Sequence, residues 1–168
     1  MDARLAGSTQ LFETSRHYLR QSVKGLDGSH LRQRVGKANS ILWTLGHITV
    51  GRLRLLTMLG ESVDIPWTKV VGRGADEVTD ALPDAADVFA RWDDAARSLA
   101  ERLERLSDDE LLAPARYRLP GSDGTMLGTI NYFAFHEAYH TGQLAVIRKA
   151  LNQGLPRRTV DRLVAVGS

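Results

Sequence analysis

Two histidines four residues apart, His136 and His140, lie within the segment 131–143 of this 168-residue chain. On an α-helix such residues project from one face, one turn apart. Their imidazoles can then grip one divalent ion, with zinc or nickel favoured and iron also suited. A third histidine, His47, sits in a separate leucine-rich run, Ser40-Ile-Leu-Trp-Thr-Leu-Gly-His47-Ile. If the two helices pack together, three neutral nitrogens converge and leave a coordination position open. That arrangement belongs to a catalytic metal rather than a structural one.

The neighbours of these histidines follow the same geometry. Tyr132, His136, His140, Gln143 and Ile147 share one narrow helical face, and Trp43, His47, Val50, Gly51 and Arg54 share another. Gly51, one turn beyond His47, is expected to leave space for water or substrate, at a cost of about 1 kcal/mol of helix stability relative to Ala. Gln143 is placed to orient a ligand or substrate from outside the metal shell, or simply to pack helices. Arg54 is a candidate substrate contact. Glu137 points about 100° away from His136 and reads as a surface or helix-packing carboxylate. Tyr139 reads as an interfacial core tyrosine. His17 falls off the apolar stripe of its helix and His30 lies in a connection, so neither joins the set. The competing reading has weight, because an inward histidine is often only a hydrogen-bonded core residue. Three of them on the inner faces of two helices would each need such partners if no metal were present.

Four long helical patterns must position these residues. The first covers about residues 3–25, where Leu5, Phe12, Leu19 and Leu26 recur every seven positions with Leu11 and Tyr18 beside them. The second runs over about 40–59, capped by Ser40 and stopped by Gly60, and is apolar around much of its circumference. The third spans about 83–106, with Val88, Trp92, Ala95, Leu99, Leu103 and Leu106 as its core face. The fourth starts at the cap Thr125 and reaches about Asn152, and a short helical tail is expected over 157–165. The first connection is read as short. Residues 60–82 form a longer one, of a length more often functional or mobile than inert. Residues 107–124 read as a loop, with Ser107 capping an acidic turn and Tyr117-Arg-Leu briefly extended. Strand signals are scarce. One all-α domain over residues 1–168, a four-helix bundle, fits this pattern, with the histidines on inward faces.

Composition narrows the function further. The net charge of +2 comes from 22 basic against 20 acidic residues, too small an imbalance for a nucleic-acid-binding surface. The absence of Cys excludes a thiolate metal site and a Cys nucleophile in this chain, and fits a reducing cytoplasm. No run approaches the roughly 20 apolar residues of a membrane span, and the first residues carry no signal-type apolar stretch. A cytoplasmic protein without a membrane or nucleic-acid partner is the expectation.

Gly46-His47-Ile, followed about 90 residues later by His136-Glu-Ala-Tyr-His140-Thr-Gly-Gln143-Leu, resembles the DinB/YfiT-like superfamily of metal-binding four-helix bundles. The preceding Asn39-Ser-Ile-Leu-Trp-Thr-Leu and the order of the four helices extend the resemblance over nearly the whole chain. It implies an up-down-down-up bundle, a homodimer, and a divalent metal held by His47, His136 and His140. It also implies chemistry with a low-molecular-weight thiol of the bacillithiol or mycothiol type, as in S-transferases and a thiol-dependent maleylpyruvate isomerase. A three-histidine metal has two uses here. It can lower the pKa of bound water towards about 7 for hydrolysis, or it can deprotonate a thiol that arrives with the cosubstrate. The resemblance favours the thiol route. A metal-dependent hydrolase and a non-catalytic metal-binding bundle are the alternatives.

Overall fold

The computed structural model describes residues 2–151. In chain order its helices are α1 (Ala6–Val23), α2 (Gly28–Arg32), α3 (Ile41–Met58), α4 (Thr68–Val71), α5 (Ala85–Glu104), α6 (Asp108–Leu112) and α7 (Met126–Ala150), with 3-10 turns at Ala3–Leu5 and Thr79–Ala81. Local chemistry sets the starts of the long helices. Ser40 accepts from the Trp43 amide (3.2 Å), Asp84 from Ala86 (2.8 Å) and Thr125 from Gly128 (3.0 Å), each satisfying an amide the helix cannot. Gly60, at φ 88°, ends the second long helix as expected of a left-handed stop.

Among the described residues the protein is all-helical. Four long helices supply its core, and no described helix is long and apolar enough to cross a membrane. α1 packs chiefly on α7, while α3 packs on both α5 and α7. Leu5, Phe12 and Leu19 are buried as expected, Leu26 lies beyond α1 and is half-buried, and Ser8, Ser15 and Ser22 are buried along the same face. Those small side chains let the helix backbones approach. The Ser8 hydroxyl donates to Asn131 on α7. The Arg148 guanidinium of α7 donates to the carbonyls of Ser22 (3.0 Å) and Lys24 (2.8 Å), closing the C-terminus of α1. Tyr18, placed beside the stripe by its spacing, is 49% exposed.

α3 is buried on most of its circumference, as its apolar pattern requires. On α5, Val88, Trp92, Ala95, Leu99 and Leu103 face inward and the charged residues between them face water.

The connections hold more structure than their sequences signalled. The first carries α2, whose cap Asp27 accepts from the amides of Ser29 and His30 at 2.9 Å each. It is therefore not a short link. The second carries α4 and a 3-10 turn. The third carries α6, where Ser107 and Glu110 form a reciprocal capping box. Helices of four or five residues complete barely one turn and leave no periodicity to detect. No described residue belongs to a strand. The Tyr117 segment lies in a turn closed by an isolated bridge between Pro114 and Thr125. The anticipated tail over 157–165 lies outside the described residues.

Candidate metal centre

α3 and α7 bring His47, His136 and His140 together. Nε2 of His47 lies 3.2 Å from Nε2 of His136, and the His140 ring centroid is 4.8 Å from that of His47 and 4.5 Å from that of His136. One ligand-capable atom from each residue lies within 4.8 Å of the others. Nitrogens bound tetrahedrally at about 2.05 Å from zinc stand about 3.3 Å apart. The closest pair already matches that separation, and the third needs only a small side-chain adjustment. The group can hold a metal ion.

Two of the three outer nitrogens are committed elsewhere, and this fixes their inner ones. His47 Nδ1–H donates to the Val71 carbonyl at 2.7 Å, and His140 Nδ1–H donates to Gln143 Oε1 at 2.7 Å. Each ring is thereby held in the tautomer that leaves Nε2 with a lone pair. Trp43 stacks on His47 at 5.0 Å with planes 10° apart, fixing the ring from one side. Burial lowers the pKa of all three histidines. In His136 it is joined by the His140 and His47 charges and brings the value down from 6.5 to about 4. In His47, burial and the Arg54 charge outweigh the opposing Val71 bond. In His140, burial and the His47 charge outweigh the Gln143 bond. The cluster therefore stays neutral at pH 7, the state a metal requires of its imidazole ligands.

Several residues read differently in place. A Cβ on Gly51 would meet Cε1 and Nδ1 of His136 at 3.7 Å, so the room this glycine leaves is filled by the His136 ring rather than by water or substrate. Glu137 takes the helix-packing place of the two expected of it, not the surface one. It is 2% exposed and forms a two-pronged ion pair with Arg52, whose Nε and Nη2 each donate to it at 2.6 Å. Tyr139 is 56% exposed, next to Phe135, and is no part of the core. Gln143 sits against His140 as its spacing suggested. Arg54 does not touch the histidines and instead lines a neighbouring cavity. His17 is exposed and His30 pairs with Asp27 at 2.8 Å, so both stay outside the cluster.

Three participants were missed from sequence. Val71 supplies a backbone carbonyl, which no side-chain motif announces. Gly46 lets that segment approach, because a Cβ there would stand 3.2 Å from Val71 Cγ1. Its place one residue before His47 was the available signal. Arg52 was overlooked in favour of Arg54, although its seven-residue offset from Leu45 and Leu59 already placed it on a buried face.

An all-helical protein with three converging histidines on two packed helices defines the class. The chain belongs to the DinB superfamily, whose sequence profile matches residues 11–144, most of its length and all three histidines. No curated protein matches the sequence.

Proposed function

We propose that His47, His136 and His140 bind one divalent metal, zinc or nickel, and that the protein uses it to activate a low-molecular-weight thiol for transfer or isomerisation. The observation that carries this reading is the orientation of the rings. Two of the three outer nitrogens are engaged by Val71 and Gln143, and the inner nitrogens turn towards one point. A divalent ion held there supplies Lewis acidity that lowers the pKa of a thiol, giving thiolate at neutral pH. The chain contributes no thiol of its own, so the sulfur must come from a cosubstrate. A cavity of about 590 Å³ opens beside His140, with Gln143, Trp43 and Tyr139 on its walls and Lys37 at its edge. That opening suits the approach of a polar thiol, with Trp43 and Gln143 holding the histidines still as it enters.

The bundle is proposed to run up-down-down-up. The contacts between Ser8 and Asn131 and between Arg148 and Ser22 advance together along α1 and α7. Arg52 lies over Trp92 and Arg102 donates to the Leu59 carbonyl, which advance together along α3 and α5. Gly51 abuts Phe133 while Trp43 and Ile147 line the same cavity, an opposed register for α3 and α7. A homodimer is proposed through the outward face of α7, where Phe135, Tyr139 and Val146 are exposed around Gly142.

Metal content by mass spectrometry on untagged protein tests the centre. About one ion per chain is expected in the wild type, lost in both His47→Ala and His140→Ala. Activity on electrophiles is then expected only with added thiol. Turnover without thiol would transfer the reading to hydrolysis, and a wild type that takes up no zinc, nickel or iron would end it.

A further inference from the structure

A second cavity, of about 520 Å³, lies beyond Gly51 on the side of the histidines away from Trp43, and none of the three histidines lines it. Met58, Ile65 and Met126 make much of its wall, and Tyr117 and Arg116 come from the loop before α7. The loop is fastened there, with the Ala115 amide donating to Gly124 (2.8 Å) and the Met126 amide to Ala113 (3.0 Å). The wall is thus set by backbone bonds and not by loop composition.

The charges in this cavity are unbalanced. Among the described residues no carboxylate lines it, whereas two guanidinium groups do, Arg54 from α3 and Arg116 from the loop. Several arginines elsewhere are matched by carboxylates: Arg20 with Asp93, Arg52 with Glu137, Arg91 with Asp64 and Arg102 with Glu110. The polar groove between α1 and α5 shows the contrast, since its arginines sit among Glu13, Asp93, Glu101 and Glu104. Arg54 is only partly exposed and makes no ion pair among the described residues, and Arg116 lies over the Tyr117 ring at 5.3 Å. The threonine hydroxyls at the edge are already used, Thr57 on the Leu53 carbonyl and Thr129 on that of Thr125. The guanidinium forks are therefore the uncommitted cationic donors of a largely apolar chamber.

We propose that this cavity binds an amphiphilic carboxylate, with the anion on Arg54 and Arg116 and an apolar or aromatic body against Met58, Ile65 and Met126. A planar carboxylate matches a guanidinium in two parallel hydrogen bonds, a geometry that a lysine would not select. The sulfur-apolar wall suits an aromatic body. Arg54 lies about two turns beyond His47 on α3, so an anion seated here is carried by the helix that also carries His47. The inference does not depend on a bound metal, because the cavity's own residues supply the recognition.

Calorimetric titration of the full chain with 3-phenylpropionate and its neutral amide, metal-free and after zinc loading, tests it. The acid is expected to bind in both states, and the amide at least about tenfold more weakly. Arg54→Gln and Arg116→Gln are each expected to weaken the acid about tenfold and leave the amide unchanged. Arg116 is exposed, so its variant remains informative if the Arg54 variant folds poorly. Arg97→Gln, on the far surface of α5, is expected to bind the acid like wild type. Equal binding of acid and amide, no binding of the acid at millimolar concentration, or equal binding of inorganic phosphate would overturn the assignment. Acid binding that survives in His47→Ala would uphold it even where the metal reading failed.

Discussion

Removing one partner of the Arg52–Glu137 pair is expected to cost more than any change on the surface. Both side chains are 3% exposed, and both hydrogen bonds are 2.6 Å. Arg52 also lies over the rings of Phe12 (5.3 Å) and Trp92 (5.4 Å), so water cannot replace the lost carboxylate without opening the core. A buried charge left without its partner destabilises by about 3–5 kcal/mol. With a urea slope of about 2 kcal/mol per molar, that moves the unfolding midpoint of Glu137→Gln by roughly 2 M. The pair also has a consequence for the site. Glu137 stands between His136 and His140 in sequence, and Arg52 follows Gly51, where an added Cβ would meet the His136 ring at 3.7 Å. The ion pair thus pins α3 to α7 in the register that brings the histidines together. Zinc affinity of Glu137→Gln is expected to fall about tenfold or more. The double variant Arg52→Met, Glu137→Leu is expected to recover most of the stability, because two apolar residues of similar volume restore the balance. Urea unfolding followed by circular dichroism, with zinc titration on each variant, measures both effects. The reasoning fails if Glu137→Gln costs under about 1 kcal/mol, or if the double variant loses as much as the two single variants summed.

Other changes separate the parts of the centre. Gln143→Ala frees His140 Nδ1 and is expected to weaken zinc binding about tenfold to a hundredfold with little change in metal-free stability, read by competition with a chelator. Gly51→Ala meets only ordinary contacts at 3.7 Å and is expected to raise stability by up to about 1 kcal/mol, whereas Gly46→Ala presses on Val71 at 3.2 Å and is expected to lower it by about 1–3 kcal/mol. In metal-free protein the lowered histidine pKa values mean that the unfolded chain binds more protons than the folded one. For His136 the window runs from 6.5 down to about 4, so urea midpoints are expected to fall across that interval as pH drops, and the histidine part of the fall is complete below it. Val146→Asp is expected to convert a dimer to monomer in light scattering coupled to size exclusion, since Val146 is 67% exposed on the apolar outer face of α7. A wild type that is already monomeric would refute that interface.

The long helices were legible because their signals are local and repeated. Leu5, Phe12 and Leu19 recur every seven residues, and Ser40 and Thr125 are capping residues at two of the helix starts, whereas the Asp84 cap of α5 emerges only in the structure. The histidine cluster was legible for the same reason, since two of its members share a helical face. What escaped notice is non-local or carried by backbone. Ser8, Ser15 and Ser22 look polar and solvent-facing until α7 covers them. The fate of Glu137 depends on Arg52, which is 85 residues away. Tyr139 reads as an interfacial core tyrosine from sequence, yet it is 56% exposed on a helix that is apolar around much of its circumference. Such a helix does not reveal from sequence which side remains uncovered.

The connection between α3 and α5 shows why backbone carries so much of the centre. Trp43 and His47 lie one turn apart with stacked rings, and they donate to consecutive carbonyls, Trp43 Nε1 to Val70 (3.0 Å) and His47 Nδ1 to Val71 (2.7 Å). Those carbonyls are presented by α4, a single turn too short to be stable alone. Its start is held by Trp67, a bulky residue in the left-handed region at φ 62°, whose carbonyl accepts from the amides of Val70 and Val71 at 2.9 Å each. That conformation costs about 1–3 kcal/mol and persists only where surrounding packing enforces it. Burial of Val71 against Gly46 provides part of that packing. Farther along, buried Glu77 accepts from the Ser40 amide at 2.6 Å and secures the start of α3 itself. The connection therefore fixes α3 at its N-terminus and the His47 ring at its outer nitrogen.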